Sequence, residues 1–277
     1  MTDPAPVVIG DFTFDAQILH LPIKDEDAHV VIDHYAAVTD GATSLGPSDI
    51  TPAQLAAYAA HRVGEISEPS LRTAVRVMLS EFREINAGNE APHAAAVWAR
   101  RRGDFLEIGS LSDCMGIVQL RDGSVQATKP SRKHATIDDA AARQILQHMR
   151  EGASFEDARS AAQAILTTNR QLANRREGYW VAGIEPEASR HLSMLKVRIE
   201  EISSLLLCSD GFTRLISPFR AVPTPAALLH WSQKRGLVRL GEILRDLENA
   251  PGSVLAAPRT SIHDDVTAVL LQRAQAS

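Results

Sequence analysis

Cysteine is nearly missing from this chain: Cys114 and Cys208 are the only two among 277 residues. Two cysteines cannot frame a protein of this size with disulfides, and they point to a reducing, cytoplasmic setting. Long hydrophobic runs are missing too. No stretch approaches the roughly 20 apolar residues of a membrane span, and residues 1–10 lack the charged-then-apolar pattern of an export signal. Basic charge is also short, with 29 Lys and Arg against 34 Asp and Glu, a net charge of −5. That balance argues against general nucleic-acid binding, which needs a basic footprint. Neither an internal repeat nor a low-complexity tract is evident.

What is present is a 44% hydrophobic content, enough to bury a full core as one domain over residues 1–277. Four short acidic stretches punctuate it: Glu26-Asp27, Asp40-Gly41, Asp210-Gly211 and Asp264-Asp265. Each adjoins an apolar run that reads as a β-strand. Carboxylates are costly to bury singly, so four at strand ends call for a compensating cation. Between Asp27 and Asp40, two apolar runs flank Asp33-His34. If Asp33-His34 is a two-residue turn, Asp27 faces Asp40 and Glu26 faces Gly41. Cross-strand β-carbons lie roughly 5 Å apart, within reach of one divalent ion. Both faces of this hairpin are mostly apolar, so both should be covered.

Further along, Thr51-Pro52 opens a helix and Ser70 a second one, to about residue 85. Strands are expected over 94–99, 105–108, 115–120 and 125–128, with a turn at Arg101-Arg102-Gly103. Helices are expected over 138–150 and 154–174. An irregular, flap-like loop near 174–190 precedes strands over 192–199 and 203–208, read as an antiparallel pair. Helices near 224–234 and 237–247 and a strand over 266–271 complete the chain. Strand groups alternating with helix pairs suggest a β-sandwich with helices on its outer faces. If the strands before Asp210 and after Asp264 are antiparallel neighbours, their acids converge with those of the first hairpin. An oxygen-only cluster suits Mg²⁺ or Mn²⁺ rather than zinc. Two such ions about 4 Å apart can bind a phosphoryl oxygen and activate water for in-line attack.

These motifs, in this order, resemble those of the metal-dependent type 2C (PPM-type) protein serine/threonine phosphatases. The matching stretches are Lys24-Asp25-Glu26-Asp27-Ala28-His29, Ala37-Val38-Thr39-Asp40-Gly41-Ala42, Cys208-Ser209-Asp210-Gly211 and Asp264-Asp265-Val266-Thr267. Asp113-Cys114-Met115 is similar to a further family motif. The resemblance implies an α+β fold, a four-layer α-β-β-α sandwich with two mainly antiparallel sheets, and a centre of two Mn²⁺ or Mg²⁺ ions. Asp40 would bridge the ions, the Gly41 carbonyl would ligate directly or through water, and Asp210 and Asp264 would complete the sites. Glu26 and Asp27 would stand in or just behind the ligand shell, and Asp113 would match the acid of a weaker third ion. The implied reaction is direct hydrolysis of phosphoserine or phosphothreonine by a metal-bridging hydroxide. The implied partner is a phosphorylated protein, the product of a cognate kinase among the candidates.

Some positions depart from the family. Pro22 stands where the family has its phosphate-gripping arginine, which leaves Lys24 as the candidate for that oxyanion. Ala42 replaces a histidine, Met115 an arginine and Asp265 an asparagine. Plainer readings stand beside these. Both Asp-Gly pairs also fit ordinary turns, Asp113 a strand-end cap, and Lys24 a solvated lysine. His29 fits a packed core residue, the cysteines inert buried thiols, and Arg100-Arg101-Arg102 a solvated turn. A phosphatase-like binding module and a hydrolase of small phosphate esters remain the alternative functions.

Overall fold

The computed structural model describes residues 6–42, 46, 48–86 and 91–274. Strands β1 (Val7–Ile9), β2 (Phe12–Leu21), β3 (Asp27–Ile32) and β4 (Tyr35–Ala42) come first, then helices α1 (Pro52–Glu65) and α2 (Leu71–Ile85). Strands β5 (His93–Arg102), β6 (Phe105–Leu111), β7 (Met115–Leu120) and β8 (Val125–Ala127) follow. Helices α3 (Arg132–Arg150), α4 (Phe155–Ala161) and α5 (Gln163–Gln171) lead to β9 (Ser193–Arg198) and β10 (Ile202–Cys208). After α6 (Asp210–Thr213), α7 (Pro225–Arg235), α8 (Leu237–Asn249) and α9 (Ser253–Ala256), the chain ends on β11 (Val266–Arg273).

The strands form two antiparallel sheets, ordered β1-β2-β11-β10-β7-β8 and β3-β4-β5-β6-β9. Between them lies a core that includes Phe14, Val38, Val97, Ile108, Leu207 and Val269. Helices α1 and α2 cover the second sheet, with Leu55, Val63, Met78 and Trp98 buried. Helices α7 and α8 cover the first through Leu229, Leu240 and Leu244 against Leu206 and Leu270. The fold is an α+β, four-layer α-β-β-α sandwich, as the sequence motifs imply.

Local chemistry explains where the covering helices start. Thr51 and Gln54 form a reciprocal cap, Thr51 Oγ1 accepting from the Gln54 N–H at 3.2 Å and Gln54 Oε1 from the Thr51 N–H at 2.8 Å. Ser70 caps α2, and the Leu71 N–H donates to Glu107 of β6 at 2.7 Å, pinning the helix to its sheet. The first hairpin has the expected register, with Asp27 opposite Asp40 and Val30 opposite Ala37. Asp33-His34 is a poor turn sequence, and His34 takes a positive φ of 69°. Neighbouring β1 supports it: Asp33 Oδ1 accepts from the Val8 N–H at 2.9 Å, and the His34 N–H donates to the Val8 carbonyl at 3.1 Å.

Four expectations need correction. The strands expected to pair with one another, β9 and β10, belong to different sheets: β9 pairs with β6, and β10 with β7 and β11. The 3-10 turn Ile199–Glu201 between them carries the chain across the sandwich, with Ile199 and Ile202 buried on the way. The turn after β5 falls at Gly103-Asp104, so Arg101 and Arg102 stay in the strand, and Arg100 donates to the Ile66 carbonyl. Helix α3 starts six residues earlier than expected, capped by Ser131. The helix expected over 154–174 breaks at Ala162 into α4 and α5. Strands β1 and β2 carry no expectation from the sequence at all. Asp15 and His20 interrupt the apolar character of β2, although Phe12, Phe14, Ala16 and Ile18 alternate along it.

Candidate active site

The four acidic stretches meet at one end of the sandwich. Strand β4 delivers Asp40-Gly41 opposite Asp27 at the start of β3. Strand β10 delivers Asp210, and its antiparallel partner β11 starts just after Asp264-Asp265. The glycines are required by crowding. A β-carbon on Gly41 would lie 2.7 Å from the Glu26 carbonyl oxygen, and one on Gly211 would lie 1.9 Å from that of Asp265. Both Asp-Gly pairs therefore do more than turn the chain: they let a second backbone pass against the first.

A cavity of about 230 Å³ opens above them, lined among others by Lys24, Glu26, Asp40, Asp113, Asp210 and Asp264. Asp27 lies beneath it, 7% exposed, and neither of its carboxylate oxygens has a hydrogen-bond partner. Burial, with the charges of Asp210 and Asp265, pushes the Asp27 carboxyl up to about 8, against an opposing influence from the hydroxyls of Thr267 and Ser209. Burial and then the charges of Asp27, Asp210 and Asp264 push Asp40 well above the usual carboxylate range. Burial and then Asp264 and Asp113 push Asp210 up to about 7. These three carboxyls share one problem: too little solvent and too much like charge.

Their neighbours are already neutralised. Burial disfavours the Asp265 carboxylate, yet it accepts the backbone N–H groups of Ile23, Lys24, Asp25 and Glu26, which hold its pKa below the ordinary value. That cradle fixes the segment bearing Lys24 and Glu26 over the cavity. Asp264 pairs with Arg214 and accepts from Ser261 Oγ at 3.2 Å. Arg214 also reaches Glu248 of α8 at 2.9 Å, and Arg245 pairs with the same carboxylate. Glu248 is 1% exposed, so both arginines are needed to hold its charge.

The side wall differs again. Asp113 Oδ2 lies 3.0 Å from His134 Nδ1, and Asp138 lies 3.4 Å from His134 Nε2. Burial would lower the His134 pKa, but Asp113, Asp138 and Asp210 outweigh it and raise it to about 9. The ligand atoms of Asp113, His134 and Asp138 all lie within 4.8 Å of one another, close enough to hold an ion. With His134 protonated, the imidazolium itself supplies the positive charge. Tyr179 stacks on His134 with ring centroids 3.9 Å apart, fastening the irregular 174–190 segment to this wall.

Every acid singled out from the sequence thus lies at or beneath one cavity. Lys24 stands at its edge, 54% exposed, 3.8 Å from Glu26. His263 turns to Asn249, at 2.9 Å. Trp180 stacks on His191. Cys114 and Cys208 are fully buried with thiol pKa values pushed up by burial, and so are inert. Sequence reasoning missed Arg214, His134, Asp138, Arg159 and Arg170. Arg214 had a signal, since it stands four residues after Asp210, one helical turn on. The others sit on α3 to α5, far from any motif.

The donors suit a hard cation: carboxylate and carbonyl oxygens, with two orphaned buried oxygens on Asp27. No protein-family model matches the sequence, and no curated protein matches it. Among solved structures, a bacterial serine phosphatase superposes with a TM-score of 0.54 at 14% identity, over 95% of this chain and 99% of its own. Serine/threonine phosphatase Stp1 from Staphylococcus aureus gives 0.53 at 14% identity, over 99% of this chain and 100% of its own. RsbX in complex with magnesium gives 0.50 at 11% identity, over 94% of this chain and 96% of its own. The fold is that of the PPM-type serine/threonine phosphatases.

Proposed function

We propose that this chain is a single-domain, cytoplasmic, Mn²⁺- or Mg²⁺-dependent phosphatase that hydrolyses phosphoserine and phosphothreonine in proteins. The observation that carries the reading is the convergence of Asp27, Asp40 and Asp210, three crowded carboxyls whose burial and mutual charge outweigh the one nearby cation, Arg214. Asp40, Asp210, the Gly41 carbonyl and Glu26 would hold two ions, with Asp27 behind them and Asp264 joining from the Arg214 side. Bound there, hard cations would supply charge to the phosphoryl oxygens and acidify water. The chain's own contribution is positional. Asp265 holds the 23–26 segment, Gly41 and Gly211 bring the two strand ends together, and Lys24 stands at the rim to meet an anionic group. Among the described residues no helix is long and apolar enough to cross a membrane.

Asp40→Ala and Asp210→Ala should each lower Mn²⁺-dependent turnover of a phosphothreonine peptide by about 1,000-fold or more, the range of losing a principal electrostatic group. Circular dichroism should report an intact fold. Turnover that survives both substitutions would overturn the reading. A second reading, a phosphatase-like module that binds metal weakly and acts through a partner, is favoured by the Arg214–Asp264 pair, which gives one ligand an internal cation. Turnover of an aryl phosphate that begins only when Mn²⁺ is added excludes that module. Side-by-side rates on phosphopeptides and metabolite phosphates separate a protein phosphatase from a small-ester hydrolase.

A further inference from the structure

The cavity carries four cationic side chains, and three are engaged. Lys24 faces Glu26 at 3.8 Å. His134 is paired with Asp113 at 3.0 Å. Arg159 donates through Nε to the Thr260 carbonyl at 3.0 Å. Arg170 lines the same cavity from α5, and its side chain makes no hydrogen bond or ion pair with any described residue. Its backbone is held on both sides, because Asn169 Nδ2 donates to the Ile137 carbonyl at 3.2 Å and the Ala173 N–H donates to the Arg170 carbonyl at 3.1 Å. The guanidinium is therefore presented by an anchored helix end rather than by a loose surface. Its charge reaches His93 and Tyr179, two other wall residues.

A half-buried guanidinium without an acceptor awaits one. The acids of the floor are crowded among themselves, and Arg170 pairs with none of them. Once cations neutralise those acids, the space between floor and wall favours an anion. It favours one with oxygens on two sides: one set for the floor, another for the planar fork of an arginine. A tetrahedral phosphate monoester has that shape and charge. We infer that Arg170 grips the phosphoryl oxygens of the substrate from the α5 wall, so that α5 belongs to the substrate site. This rests on the phosphatase reading above, and the test separates the two.

Inorganic phosphate is titrated into the Mn²⁺-loaded protein by calorimetry, and steady-state kinetics are measured on a phosphothreonine peptide. R170Q should weaken phosphate binding about 10- to 100-fold, the worth of a charge-assisted bidentate contact. KM should rise by a similar factor, with kcat changed less. R170K should fall between wild type and R170Q. Bound manganese and melting temperature should not change, since Arg170 has no partner to lose. Phosphate affinity equal in R170Q and wild type overturns the inference, as does a wild type that binds no phosphate. If phosphate binding depends on Arg170 but the wild type hydrolyses no phosphoester, the enzyme reading falls and the anion site stands. Normal turnover with unchanged phosphate affinity in R170Q does the reverse.

Discussion

Two corners of one cavity handle buried acids in opposite ways. Around Asp264 and Glu248 the chain provides its own counter-charges, Arg214 and Arg245, and around Asp265 it provides four backbone N–H groups. Around Asp27, Asp40 and Asp210 it provides too little: burial and mutual charge outweigh Arg214 near Asp210 and the Thr267 and Ser209 hydroxyls near Asp27, and the three carboxyls are driven towards the neutral form. Completed networks of the first kind are structural. Charge left unmet in a cavity, beside glycines that hold two backbones together, marks where a ligand must supply what the protein withholds.

That contrast can be broken by substitution, and the largest effect should come from the finished corner. Arg214→Ala would leave Glu248, which is 1% exposed, with Arg245 alone and Asp264 with no cation, and should destabilise the protein by about 3–5 kcal/mol in urea titrations. Pairing it with Glu248→Gln should recover most of the loss. If the single variant is as stable as wild type, the network is not a structural clamp.

Asp265→Ala removes the acceptor of four N–H groups and should cost about 2 kcal/mol. Because the Asp265 pKa is held below its ordinary 3.8, its contribution is present above that value and lost as pH falls below it. The difference between wild type and Asp265→Ala should therefore shrink in acid. A difference that is constant between pH 2 and pH 7 would count against the cradle.

The unfinished corner should respond with the opposite sign. Asp27 is raised from 3.8 to about 8, so in metal-free protein its contribution is fully present below the lower value and is lost as pH rises through the upper one. Asp27→Asn should stabilise metal-free protein at pH 8 by about 1–2 kcal/mol, by removing an unsatisfied buried charge, and should leave pH 4 stability nearly unchanged. It should also reduce the melting-temperature gain on adding Mn²⁺. If Asp27→Asn destabilises at pH 8, Asp27 already has a partner and the two corners are alike.

Much of this was legible in the residues alone. The Asp27–Asp40 register follows from counting across Asp33-His34, and Thr51-Pro52 and Ser70 announce their helices. The order of the acidic motifs implies the sandwich and draws its acids to one end. Apolar periodicity reports that a strand is covered, but not by which neighbour. That is why periodicity alone makes β9 and β10 partners although they lie in different sheets, and why it gives no clear signal for β2 or for β1, which braces the Asp33-His34 turn.

The sequence by itself determined which side chains could carry charge at the strand ends and where glycine must follow. Those choices depend on residue type and local spacing, which any stretch of chain displays. Only the tertiary structure decided which acids would be left without partners. Arg214 comes to Asp264 across 50 positions and Glu248 to Arg214 across 34. An electrostatic field depends on distance in space, so whether a carboxyl is satisfied or wanting is settled only when the sheets close.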